Sequence, residues 1–377
     1  MPRLRRLTTV IPIALMLLAG VLVSVTAPQA AEAAPTVRVT RVVGGLANPW
    51  DVTWVGGAML FDQRAGGMWS KRGTAAPQRI QMALPPLYVH SEAGMLGIVA
   101  DPNAATNKFF YTCMAVATSS GDAKGVEVWK WKLNTDTSAV KVQELITGIP
   151  LESGRHSGCR LRFRSVFILY VATGDAAVGT IPQNLSSLGG KILRVRTDGS
   201  IPTNNPFYAR GGNARYVVNY GHRNLQGLTV RPGFDQMWSV EQGTSRDDEV
   251  NIVWSGRNFG WDPSPGYDES HNMTDKVRYP RANGAKWRSG SPTVATCGAT
   301  FISGSQWGTW NGRLAVAMLK GEGIKLFTID ANSRISGSQD VMTTYGRIRT
   351  VQQGPDGAVY FTTSNGSADG IYKMTAG

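Results

Sequence analysis

One unit recurs six times along this 377-residue chain. It is an apolar strand, a turn rich in Gly, Pro, Asp or Asn, then a strand opening on aromatic or bulky apolar residues. The copies fall at 50–61, 96–113, 160–173, 227–240, 298–317 and 350–363, from W-D-V-T-W-V-G-G-A-M-L-F in the first to T-V-Q-Q-G-P-D-G-A-V-Y-F-T-T in the last. Each reads as a hairpin, because strand-forming runs are separated by turn-forming residues. Their starts lie roughly 45–70 residues apart, room for a four-stranded blade and an insertion. Helical periodicity is nearly absent between them. A ring of such sheets keeps strand edges short and protected, so the expectation is an all-β chain folded as a six-bladed β-propeller. A β-sandwich is the rival, but its strands would not recur as six near-copies of one hairpin. Runs at 126–133, 140–146, 192–196 and 324–329 read as further blade strands, and 371–374 is expected to complete a blade begun near 37–43.

Residues 1–34 are set aside from the fold. Arg3, Arg5 and Arg6 precede an apolar run at 10–25, and Ala31-Glu32-Ala33 offers small residues for cleavage. That is the pattern of a secretory signal. An uncleaved anchor is the alternative, but the run is at the short end for a bilayer span. The expected organisation is a signal at 1–34 and a propeller at 35–377, exported and without a membrane span after cleavage. Formal charge is +13, and removing the leader's three Arg and one Glu leaves +11. A basic balance points to anionic partners. The Lys and Arg are dispersed, however, with no basic helix or zinc-finger spacing, so no nucleic-acid partner is expected. Of Cys113, Cys159 and Cys297, two could pair in an oxidising compartment; their spacing does not say which.

Varied polar chemistry is densest at 216–261. His222, Arg223, Asn224 and Gln226 precede one short apolar strand at 228–230, and Glu241, Gln242, Asp247, Asp248 and Glu249 follow another at 237–240. Loops on a rigid scaffold are where binding and catalysis concentrate. A solvated acidic turn is the plain alternative for Asp247-Asp248-Glu249.

Several motifs, in order, resemble one family. They are L-x-x-P-W-D-V, E-A-G-M-L-G-I-V-A-D-P, R-H-S-G-C-R-L-R-F with L-Y-V-A-T-G-D-A, S-L-G-G-K-I-L-R-V, Y-G-H-R-N-L-Q-G-L, D-D-E-V-N, G-x-N-F-G-W, M-L-K-G and G-R-I-R-T-V-Q-Q-G-P-D-G-A-V-Y. Together they span 46–374 and look like the soluble quinoprotein glucose/sorbosone dehydrogenases, also called aldose sugar dehydrogenases. The resemblance implies a six-bladed propeller that binds pyrroloquinoline quinone (PQQ) with Ca²⁺ and oxidises the anomeric hydroxyl of an aldose to the lactone. It also implies an electron acceptor that the sequence does not name.

By that resemblance His156 is the general base, a task suited to imidazole because it titrates near neutral pH. Arg223, Asn224 and Gln226 supply one wall for the quinone, Lys320 another, and Arg347 with Arg349 a third. The i, i+2 spacing of the last two puts both guanidinium groups on one face of a strand. Glu92 stands where glucose-oxidising members carry Gln. The carbonyls of Gly243 and Thr244 are implied ligands of a catalytic Ca²⁺, and Glu249 with the carbonyl of Phe259 of a structural one, since hard cations prefer oxygen. His222 is expected to be structural.

The chain departs from the family most at Arg164-Ser165-Val166-Phe167, where a G-P-D-G turn is usual, and at Ser291, where some members carry Trp. The altered turn belongs to the hairpin that follows His156, so displacement of the base is the risk it carries. Two other functions compete. A non-catalytic propeller could bind carbohydrate or protein at the same mouth, although a pure binder has no need of the full cationic set. A Ca²⁺-dependent lactone hydrolase would need carboxylates converging on the channel centre.

Overall fold

The computed structural model describes residues 33–377. The leader expected at 1–34 therefore lies outside the described residues, apart from its last two. The strands form six four-stranded antiparallel sheets. The first strand of each sheet lies against the first strand of the next, and the sixth against the first. The chain is a six-bladed β-propeller, as expected. Among the described residues no helix is long and apolar enough to cross a membrane.

All six hairpins are the two innermost strands of a blade. They are Val52–Val55 with Ala58–Asp62 in blade 1, Met95–Ala100 with Phe109–Ala117 in blade 2, and Gly158–Ser165 with Ile168–Thr173 in blade 3. Blades 4 to 6 follow with Asn224–Arg231 and Gln236–Gln242, Thr296–Phe301 and Leu314–Met318, and Ile348–Gln353 and Val359–Thr363. The ring closes as the sequence suggests: Val37–Leu46 pairs antiparallel with Asp369–Ala376, so both ends of the propeller share blade 6.

Six apolar cores sit between neighbouring blades rather than at the centre. The period-2 alternation of a strand explains how one strand serves two of them. In Ala58–Asp62, Ala58 and Leu60 pack toward blade 2 while Met59 and Phe61 pack toward blade 6. A strand buried on both faces reads as a continuous apolar run, which accounts for A-M-L-F and L-A-V-A-M. A disulfide joins Cys113 in blade 2 to Cys159 in blade 3 with Cα atoms 5.9 Å apart, and Cys297 is free and buried.

In each blade the first strand runs away from one end of the ring and the second returns to it. The starts of first strands and the connections between second and third strands therefore share one face, here called the mouth. The altered turn sits at the opposite end of its hairpin. There Ser165 pairs with Ile168, and none of residues 164–167 has positive φ. Arg164 is anchored on Asp235 at 2.7 and 2.8 Å.

Candidate functional site

The site residues expected from the sequence fall at the mouth end of their blades, except Phe259, which lies in the connection after the third strand of blade 4 and stacks on His222. His156 and Ser157 precede the first strand of blade 3, and Asp175 follows its second. Asp175 N–H donates to the Arg223 carbonyl (2.8 Å), which ties blade 3 to blade 4, and Ala176 N–H donates to the His156 carbonyl (3.3 Å) within blade 3. A Cβ at Gly174 would collide with that His156 carbonyl, so glycine is required there. His156, Cys159, Ala176, Ala177 and Asp247 all have φ between 52° and 73°. Left-handed non-glycine residues cost energy and cluster at functional sites.

His156 is 6% exposed. Its Nδ1–H donates to Asp175 Oδ1 at 2.9 Å, with the Tyr267 hydroxyl oxygen 2.8 Å away. Asp175 is held in turn by Ala177 N–H on Oδ1 (2.8 Å), and by the Tyr267 hydroxyl (2.8 Å) and Trp261 Nε1–H (2.7 Å) on Oδ2. A carboxylate that already receives three fixed donors presents only acceptor lone pairs to the imidazole. It therefore fixes the imidazole proton on Nδ1 and leaves Nε2 as the basic nitrogen. Among the described residues, Nε2 has no hydrogen-bond partner. Burial and the Asp175 charge push the Tyr267 phenol well above its ordinary range, so it remains a neutral donor.

Asn224 and Gln226 lie inside the first strand of blade 4, not ahead of it, because that strand extends over Asn224–Arg231. The polar residues continue the strand into the mouth, where they replace the apolar packing of its lower half. Their amides converge on Glu92: Asn224 Nδ2 donates to Oε1 at 3.0 Å and Gln226 Nε2 to Oε2 at 3.1 Å, while Ser157 N–H reaches Oε1 at 3.2 Å. Arg223 Nη1 donates to the Gln242 carbonyl at 3.2 Å, and its Nη2 pairs with Glu269. Arg155 also reaches Glu269, at 3.3 Å.

On the opposite side, positive charge goes unneutralised. Arg349 is 8% exposed, donates Nη1 to Cys297 Sγ at 3.4 Å, and lies 4.0 Å from the Trp50 ring centre; its buried Nε has no partner. Arg347 reaches only the carbonyls of Ser364 (3.2 Å) and Leu319 (3.3 Å), and Lys320 only Thr293 Oγ1 (3.3 Å). Among the described residues none of the three has a carboxylate partner. Beneath this floor Arg160 bolts four blades together, meeting Asp51 (2.6 Å), the Gln226 carbonyl (2.9 Å) and Thr350 Oγ1 (3.1 Å).

Calcium was expected on Gly243 and Thr244. Buried Asp248 holds their loop by accepting Gly243 N–H (2.9 Å) and Val294 N–H (2.7 Å), so it is not a solvated turn residue. Among the described residues, the Gly243 and Thr244 carbonyls accept no backbone hydrogen bond and the buried Thr244 Oγ1 is unpartnered. Nor do three His, Cys, Asp or Glu side chains converge there for a metal. A cation at the mouth would rest on main-chain carbonyls, and the loop fits it.

Glu249 is buried against Thr274 (2.9 Å), Asn251 (3.2 Å) and Arg288 (3.3 Å). Burial and the neighbouring Glu241 push its carboxyl up to about 8, so added positive charge there would be welcome. The Phe259 carbonyl accepts no backbone hydrogen bond among the described residues. His222 has the structural setting expected of it: it stacks on Phe259, and both ring nitrogens are engaged, by Glu241 (3.0 Å) and Asn219 (3.2 Å).

Sequence reasoning passed over Asp175, Trp261, Tyr267, Glu269 and Arg64. Asp175 lies in the quoted L-Y-V-A-T-G-D-A motif and was findable as the one acid there. Tyr267 and Glu269 sit in the 253–286 connection of blade 4, which has no periodic pattern to place them.

Residues 46–373 match the family described as Glucose / Sorbosone dehydrogenase. The aldose sugar dehydrogenase YliI of Escherichia coli is 28% identical over 352 residues, 89% of this chain and 93% of that protein. The crystal structure of the soluble E. coli aldose sugar dehydrogenase in its apo form superposes with a TM-score of 0.81 at 25% identity, over 91% of this chain and all of that one. Quinoprotein glucose dehydrogenase B of Acinetobacter calcoaceticus is 27% identical over 201 residues, 47% of this chain and 41% of that protein. The PQQ-bound aldose sugar dehydrogenase of Streptomyces coelicolor shares the fold, with a TM-score of 0.73 at 24% identity over 91% of this chain and all of that one.

Proposed function

The chain belongs to the glucose/sorbosone dehydrogenase family, and from that premise we propose that it oxidises an aldose at the anomeric hydroxyl to the lactone, dependent on PQQ and Ca²⁺. The observation that carries the reading is the pairing of a tautomer-fixed His156 with a mouth rich in unneutralised cations. His156 Nε2 takes the proton of the C1 hydroxyl, and Asp175, 2.9 Å from Nδ1, stabilises the imidazolium that results. When bound, the quinone supplies the acceptor for the C1 hydride, and calcium supplies a Lewis acid that polarises it.

Lys320, Arg347 and Arg349 would hold the cofactor's carboxylates, since guanidinium and ammonium groups without acids of their own await an anion. Arg223, Asn224 and Gln226 form the facing wall beside Glu92. The Gly243 and Thr244 carbonyls would hold the catalytic calcium; Glu249 and the Phe259 carbonyl would hold a structural one. Support for a quinone also comes from the name of the Acinetobacter relative, and for aldose oxidation from that of the E. coli one. The reading includes export, with residues 1–34 removed as a signal.

The test adds PQQ and Ca²⁺ to purified cofactor-free protein and follows reduction of an electron-accepting dye with several aldoses. Turnover with a PQQ-dependent rise in melting temperature is expected. Absence of both defeats the proposal. Lactone hydrolysis without PQQ would support the hydrolase instead.

A further inference from the structure

Site residues come from blades 2 to 6, and blade 1 supplies none of those expected from the sequence. Arg64 fills that gap. It sits in the connection between the second and third strands of blade 1, at the mouth end. Its backbone is pinned, with N–H donating to the Asn48 carbonyl (3.1 Å) and its own carbonyl accepting Met95 N–H (2.9 Å).

The guanidinium uses one nitrogen. Nη1 donates to the carbonyls of Ser91 (2.5 Å) and Ala93 (3.3 Å), which flank Glu92. Among the described residues Nε and Nη2 donate to nothing, and no carboxylate pairs with the side chain. Arg349 sits on the adjoining segment, its guanidinium 4.0 Å from the Trp50 ring centre, and burial, then the Arg349 charge, lower the Arg64 pKa from its ordinary value. Arg349 itself has a buried, unpartnered Nε. Two guanidinium groups held together without an acid repel each other, and an anion between them relieves the repulsion.

The contacts close into a circle. Arg64 touches the Glu92 loop; Glu92 meets Asn224 and Gln226; Gln226 meets Cys297 (3.6 Å); Cys297 meets Arg349, which lies over Trp50, two residues from the Asn48 carbonyl that holds the Arg64 backbone.

We propose that Arg64 is a further cofactor-binding residue, which with Arg349 forms a two-guanidinium clamp for one carboxylate of the anionic cofactor. The clamp rests on the PQQ reading above. Its free Nε and Nη2 make the fork that a carboxylate matches, while Nη1 anchors the side chain to the Glu92 loop and limits the ordering needed on binding.

The test titrates PQQ and its trimethyl ester, with Ca²⁺ present, into cofactor-free wild-type, Arg64→Met and Arg64→Lys proteins. Bound cofactor is read by quenching of tryptophan fluorescence. A charge-assisted fork predicts that Arg64→Met weakens PQQ binding about 10- to 100-fold. The uncharged ester should change by less than about threefold. Arg64→Lys keeps the charge without the fork and covers the case in which the Met variant does not fold; a loss of about 3- to 10-fold is expected from it. Unchanged PQQ affinity in both variants overturns the clamp. So does equal weakening of acid and ester, the mark of a displaced Glu92 loop. A wild-type protein that binds no PQQ defeats the proposed function itself.

Discussion

Asp175→Asn is the sharpest probe of how the proposed base, His156, is set. Four donors now point at this carboxylate: His156 Nδ1–H, Ala177 N–H, Tyr267 O–H and Trp261 Nε1–H. An amide offers one oxygen and one NH₂ in their place. If its oxygen faces His156 and Ala177, the NH₂ opposes Trp261 Nε1–H, which cannot turn away. One buried donor is then stranded, at a cost of about 1–3 kcal/mol in stability. If the amide flips, NH₂ meets His156 Nδ1 and drives the imidazole proton to Nε2, removing the base. Either way the imidazolium loses a hydrogen bond to a charged partner, about 1.5–3 kcal/mol, or about 10- to 150-fold in rate. The wrong tautomer deepens the loss, as in serine-protease triads, where the matching change costs about 10⁴. Turnover should fall by about 10²- to 10⁴-fold with PQQ affinity within about threefold of wild type. Steady-state dye reduction gives the first quantity and fluorescence titration the second. Imidazole ¹⁵N spectra of the cofactor-free protein, with only four histidines, read the tautomer directly. Turnover retained within about threefold, with His156 still protonated on Nδ1, would remove Asp175 from this role.

His156→Ala should lower turnover by about 10³-fold or more while leaving PQQ affinity within a few-fold, because in the proposed reaction the ring acts on substrate; activity near wild type would remove His156 as the base. Glu249 makes a pH prediction. Its folded value of about 8 exceeds the ordinary 4.5, so its stabilising contribution is full below about pH 4.5 and is lost as pH rises through about 8. The melting temperature of calcium-free protein should fall across that window, Glu249→Gln should flatten the fall, and Ca²⁺ should raise the midpoint more at pH 8 than at pH 5. An identical calcium effect at both pH values would count against Glu249 as a ligand. The Cys113–Cys159 disulfide spans 46 residues, which by chain entropy stabilises the fold by about 4 kcal/mol. The Cys113→Ala/Cys159→Ala protein should lose stability of that order in urea titrations, and a loss below about 1 kcal/mol would contradict it.

The architecture was legible because each blade repeats one local pattern. W-D-V-T-W-V-G-G-A-M-L-F already holds two strands, their turn and the alternation that splits Met59 and Phe61 from Ala58 and Leu60. The cationic wall was legible only through the family resemblance of its motifs; the fold supplies the physical reason for it, since Lys320, Arg347 and Arg349 lie at or beside strand ends that the ring brings to one face. The acids that orient the site were harder to see. Asp175 pairs with a histidine 19 positions away, and Glu269 with Arg223 46 positions away, through a connection whose course no local rule dictates. The disulfide was open for the same reason, since Cys113 and Cys159 meet only across the interface of blades 2 and 3.

The altered turn at 164–167 shows how the fold separates stability from chemistry. The first strand of blade 3 covers Gly158–Ser165, so about 26 Å of strand at about 3.3 Å per residue lies between the turn and the mouth. Through that length Arg160 and Arg162 fasten the strand to blade 4 at the carbonyls of Gln226 (2.9 Å) and Leu228 (3.1 Å). A change at the far end must overcome those bonds before it moves His156. What the turn leaves behind is local: Phe167 is 64% exposed, and two-residue hairpins prefer positive φ at positions that Val166 and Phe167 fill without it. Val166→Asn/Phe167→Gly supplies the favoured pair. Stability should rise as the turn relaxes to the type I′ twist that matches the flanking strands, with kcat/KM and PQQ affinity unchanged. A loss of kcat/KM beyond about threefold in a protein that remains folded would mean that the hairpin transmits its turn geometry to the base, and that the arginine fastenings do not isolate it.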